Sequence, residues 1–169
     1  MIRHGIAAAL LAAGAGPAWG APPATASVTA STTGSATATI LSPIAVTHTP
    51  GAALSFGKFT PGTGGTVVVT PAGAASATGG VVIISGSPGK ADAFTVEGDP
   101  NRGYAVIAAS GTVSSGTASM AFTTVPSAAT ATLSAAGAGG FTVGGTLSVP
   151  ATIAAGIYTG SYSVTVNYN

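Results

Sequence analysis

Asp92, Glu97 and Asp99 stand close together in the chain, and three carboxylates so grouped could surround a calcium ion, which takes several oxygen ligands. The alternating acidic spacing of a calcium loop is absent. Glu97 falls on the solvent side of a strand that carries Phe94 and Val96, and Asp99-Pro100-Asn101 has turn chemistry, so a solvated strand end is expected for all three. His48 shares parity with Ile44 and Val46 and precedes Pro50-Gly51, where a strand should stop. A catalytic base in a Ser-His-Asp device would also need an orienting acid and an oxyanion hole, and the sequence has no Gly-x-Ser-x-Gly elbow. The glycine-rich stretches 62–65 and 137–140 do not follow a strand and open a helix, which a phosphate cradle requires. Tyr158, Tyr162 and Tyr168 share one strand face with Val164 and Val166, so they are expected to line a core or groove rather than a sugar-binding stripe. No catalytic residue, metal site or cofactor is expected.

The charge content narrows the function further. Four basic and three acidic side chains in 169 residues cannot neutralise a run of phosphates, so a nucleic-acid partner is not expected. The first twenty residues read as a secretory signal peptide: Arg3 and His4 lead, residues 6–13 are unbroken apolar, and Ala18-Trp19-Gly20 places small residues before a cut at Ala21. The apolar stretch is far shorter than the roughly 20 residues of a spanning helix. With no cysteine, neither a lipoprotein anchor nor a disulfide framework is expected, and the domain must be held by its core.

Those residues are carried on segments of period two, with almost no helical periodicity. Strands are expected around 36–40, 54–56, 66–70, 81–85, 93–97, 104–108, 121–125, 131–133, 141–149 and 158–168. Turn clusters separate them, among them Pro61-Gly62 and Gly86-Ser87-Pro88-Gly89. Many short strands at such spacing indicate an all-β sandwich or barrel. The runs Val67-Val68-Val69 and Val81-Val82-Ile83-Ile84 do not alternate, so both are expected to be central and covered on two faces. A membrane barrel would carry aromatic girdles at both interfaces, and five Phe with four Tyr are too few, so no membrane insertion is expected.

Residues 24–40 also alternate. Ala24, Ala26, Val28 and Ala30 take the even positions and Ser or Thr the odd ones, with Val28 the bulkiest of the set. The last strand is expected to present an uncovered edge, made by Tyr158, Tyr162, Val164, Val166 and Tyr168, and an open edge invites pairing. A neighbouring molecule's residues 24–31 could supply the missing strand.

The Leu54-Ser55-Phe56-Gly57 segment, and the Ala155-Gly156-Ile157-Tyr158 motif that opens the last strand, look like a family of small secreted bacterial β-domains of unknown function. That family is similar to spore coat protein U and to archaic chaperone-usher pilins. The resemblance implies an immunoglobulin-like β-sandwich that is incomplete and completed by a donor strand. It further implies passage through the periplasm to the cell surface, a periplasmic chaperone and an outer-membrane usher as partners, and copies of itself or related subunits in a fimbria. The expected organisation is a signal peptide at 1–20, a candidate donor strand within 21–34 and a β-sandwich over 35–169. A non-enzymatic structural subunit is the first expectation; a monomeric extracellular module binding carbohydrate or a host surface is the alternative. Mass spectrometry of the exported protein should find Ala21 at its N-terminus, and a mature species that keeps residues 6–13 would overturn the export reading.

Overall fold

Alternating apolar and small polar residues give strands with one inward face, and Gly- and Pro-containing turns fold them back on one another. The computed structural model describes residues 29–169, and every helix-or-strand element among them is a strand. The chain divides into two units, Met1–Ala38 and Thr39–Asn169. In the first, the described residues 29–38 are exposed and carry no strand; the signal peptide, Ala24, Ala26 and Val28 lie outside the described residues.

The second unit holds thirteen strands: β1 (Ala45–His48), β2 (Phe59–Thr60), β3 (Gly65–Val69), β4 (Ala75–Gly79), β5 (Val82–Ile83), β6 (Asp92–Glu97), β7 (Gly103–Ala108), β8 (Gly111–Ser115), β9 (Ala118–Pro126), β10 (Thr130–Thr132), β11 (Ala138–Val149), β12 (Thr159–Ser161) and β13 (Val164–Tyr168). All pairings are antiparallel. The largest sheet runs β1-β6-β11-β9-β8-β12, with β3 also joined to β11 and β4 to β3. A second sheet runs β10-β7-β13, and β2 pairs with β5. The fold is all-β, as expected, with the large sheet curled into a half-barrel in keeping with a β-sandwich.

Two apolar clusters form the interior. Phe56, Val67, Val69, Val81, Met120, Phe122, Leu147 and Val149 make the first, and Val96, Tyr104, Val106, Leu133, Phe141, Val143 and Val166 the second. Each buried Val, Leu or Phe side chain contributes about 1.5–3 kcal/mol, so either cluster outweighs any polar contact in the domain. The central strand β11 feeds both, through Phe141 and Val143 at one end and Leu147 and Val149 at the other.

Several expectations change. Residues 36–40 carry no strand, and the first strand starts at Ala45. The Val81-Val82-Ile83-Ile84 run is not central: only Val81 is buried, Val82 is 59% exposed, and among the described strands β5 pairs only with the two-residue β2. A non-alternating apolar run here marks a short edge rather than a covered strand. By contrast β3 does lie between β11 and β4, with Val67 and Val69 buried. The stretch 158–168 is two strands, because the chain leaves the large sheet after Ser161 and joins the second sheet at Val164. The inward parity of Tyr158, Tyr162, Val164, Val166 and Tyr168 survives this crossing, while Thr165 is exposed. The Asp99-Pro100-Asn101 turn is present, with Asn101 in the left-handed region at φ 56°, which Asn tolerates better than most residues.

Phe56 packs at the heart of the first cluster, 5.9 Å from the Phe122 ring centre. Phe56→Ala is expected to destabilise the domain by about 3–5 kcal/mol in a urea titration, and Thr165→Ala by well under about 1 kcal/mol. Equal losses would contradict the inside and outside faces assigned here.

Candidate functional site

The first cluster is not fully covered. Above it runs a groove of about 1260 Å³, walled on one side by residues 53–61 and on the other by residues 153–162. Its floor is apolar, formed by Phe56, Val113, Met120, Phe122 and Leu147. The first wall ends in β2, which pairs with β5, and the second carries β12, which pairs with β8. Residues 54–58 are held by one β-bridge, in which Ser55 and Lys90 exchange main-chain hydrogen bonds of 2.9 and 2.8 Å, and by Lys58, whose carbonyl accepts from the Ile84 amide at 2.8 Å and whose amide donates to Ser87 Oγ at 3.2 Å. Among the described strands β12 pairs only with β8, so its other edge is open. Tyr158 is pinned on the second wall by its hydroxyl, which donates to the Ala154 carbonyl at 2.8 Å.

One end of the groove is polar, where β1, β6 and the crossing after β12 meet. His48 closes β1, Asp92 opens β6, and Tyr162 sits in the crossing. The Asp92 carboxylate is buried at 5% exposure. Its Oδ1 accepts from His48 Nε2 at 2.6 Å and from the Ala93 amide at 2.9 Å, and its Oδ2 accepts from the Tyr162 hydroxyl at 2.8 Å. A buried carboxylate left without partners would be strongly destabilising, and these three donors remove that penalty. Phe94 stands edge-on to both rings, 5.1 Å from His48 and 6.4 Å from Tyr162, while Phe122 meets Tyr162 edge-on at 6.1 Å. Burial first, then the hydrogen bond and negative charge of Asp92, push the Tyr162 hydroxyl well above the usual tyrosine range, so it remains a donor. Burial likewise raises Tyr104 in the second cluster.

The expected site residues separate. Tyr158 and Tyr162 line the groove; Val164, Val166 and Tyr168 pack on the second cluster instead. The Tyr168 hydroxyl accepts from the Asp99 amide at 2.6 Å and donates to the Ser42 carbonyl at 2.8 Å. Of the donor positions only Ala30 is described, exposed and outside any strand. The three carboxylates do not converge: Asp92 and Glu97 occupy opposite ends of β6, and Asp99 pairs with Arg102 at 3.6 Å. The His48–Asp92–Tyr162 group escaped sequence reading because its members lie 44 and 70 residues apart. The one available signal was that an acid opened a strand in a chain nearly without charge.

The two raised phenols carry a pH dependence with a definite sign. The unfolded chain releases its tyrosine protons near pH 10 while the folded chain retains them at Tyr104 and Tyr162, so stability is intact below about pH 10 and falls as pH rises above it. Tyr162→Phe is expected to lower stability by about 1–3 kcal/mol at pH 8, because Asp92 Oδ2 loses its donor. The same variant should lose less than the parent between pH 10 and 11.5. Urea titrations at these pH values check both, and identical alkaline losses would contradict the assignment.

Comparison with curated proteins and with solved structures finds no match. Residues 44–168, which run from just before β1 to the end of β13, match a family described as a domain of unknown function (DUF4402). The chain therefore belongs to the DUF4402 family.

Proposed function

We propose that this chain is a non-enzymatic, exported structural subunit of a surface fimbria, assembled by donor-strand complementation. Residues 24–31 of one copy, or of a related subunit, lie in the groove of the next. The groove carries this reading: it is an apolar slot between two stretches that each keep an unpaired strand edge. A strand laid there would satisfy main-chain groups on both walls while covering Phe56, Met120 and Phe122. Alternating residues 24–31 suit that role, with small apolar side chains inward and Ser or Thr outward. The resemblance of the Leu54-Ser55-Phe56-Gly57 and Ala155-Gly156-Ile157-Tyr158 segments to spore coat protein U and archaic chaperone-usher pilins supports it, and implies a periplasmic chaperone and an outer-membrane usher as partners. The non-enzymatic reading is supported by His48, whose hydrogen bond goes to Asp92 and to no nucleophile among the described residues.

Val28 is the anchor, and burying one valine contributes only about 1.5–3 kcal/mol, so main-chain pairing supplies the rest of the hold. Val28→Asp is expected to abolish assembly with the circular dichroism spectrum unchanged, because the charge would enter an apolar slot without a partner. Deleting residues 24–31 should yield monomers by light scattering that still take up a peptide of that sequence. Assembly of the deleted protein at the parent's concentration would overturn the proposal and favour the monomeric extracellular binding module.

A further inference from the structure

The groove has a direction. Its floor is apolar along most of its length and polar at one end, where Asp92 fixes His48. A carboxylate can only accept, so the Nε2 atom bonded to Asp92 carries the hydrogen, and in the neutral imidazole Nδ1 then keeps its lone pair. Nδ1 has no partner among the described residues, and the His48 side chain is 48% exposed beside the groove. Phe94, edge-on to the ring, restricts its swing. An oriented acceptor therefore stands at the end of an otherwise greasy slot.

The N-terminal segment has a matching asymmetry. Its even positions run Ala24, Ala26, Val28, Ala30 and then Thr32, so a hydroxyl follows four apolar side chains on the same face. Val28 and Thr32 are separated by four residues, as are Tyr158 and Tyr162 on the groove wall, and both spans are about 13 Å at roughly 3.3 Å per residue. We propose that His48 sets the direction and register of the incoming strand: residues 24–32 of a second copy run parallel to β12, with Val28 level with Tyr158 and the Thr32 hydroxyl donating to His48 Nδ1. The reverse direction would set Ala24 against the imidazole and leave the acceptor without a donor. This assignment rests on the strand-exchange reading above and adds which residue recognises which.

The test is a double-mutant cycle in the full mature chain, with His48→Phe, Thr32→Val and the two combined, reading the association constant by analytical ultracentrifugation. Each single substitution is expected to weaken association about five- to tenfold, the loss of one hydrogen bond, and the double no more than either single. Thr32→Ser, which keeps the hydroxyl, should associate like the parent, and this comparison with Thr32→Val decides the matter even where His48→Phe does not fold. Multiplying losses in the double variant, or a Thr32→Val chain that associates like the parent, would overturn the register while leaving strand exchange in place. A parent chain that remains monomeric at every concentration would overturn strand exchange itself, and this assignment with it.

Discussion

The domain depends on β11 serving two cores at once. Its first half pairs with β6 and its second half with β3 on the same edge, while β9 runs along the other edge across the junction. Gly144 and Gly145 stand at that junction because nothing larger fits. A Cβ on Gly144 would strike the Val69 carbonyl, and one on Gly145 would come 2.6 Å from the Thr123 carbonyl and 3.4 Å from the Phe56 ring. Close backbone approach at these two residues lets one strand change partners without leaving the sheet.

The two clusters end differently. The second is closed by β13 pairing with β7, and by Tyr168, whose hydroxyl joins the loop before β1 to the turn after β6. The first is flanked by the three-residue β12 and the 54–58 segment, and Phe56, Met120 and Phe122 border an open slot between them. Natural sheets blunt such edges with charge, proline or a covering element. These walls carry Lys58 and Pro61 at one end and are otherwise small or apolar, so they hold little charge against a pairing strand. Asp92, His48 and Tyr162 line one end of the slot where the clusters meet and hold β1 to the crossing between β12 and β13.

Much of this was legible in the sequence, for reasons that also mark where reading stops. Period two fixes which side chain faces inward, so Val164, Val166 and the exposed Thr165 followed directly from parity. Parity does not record which strand lies alongside. It passed unbroken through Tyr162 and Ser163, and the change of sheet there was invisible. It was also silent on the Val81–Ile84 run, in which Val82 and Ile84 are exposed and β5 is a two-residue strand paired with β2. The tyrosine stripe was found, but the division of its members between groove and second core depends on that hidden crossing. The Asp92 group was beyond reach for the same reason, since contacts across 44 and 70 residues are set by topology and leave no local pattern.

Amide hydrogen exchange along the two walls reads the groove's role most directly, because a strand that pairs there must protect main-chain N–H groups that now lack partners. With a synthetic peptide of residues 21–34 added to the mature protein, exchange is expected to slow in residues 53–61 and 157–162 and to remain unchanged in β7, β10 and β13. Unchanged exchange along both walls at saturating peptide, or protection confined to the second sheet, would contradict a groove made to receive a strand.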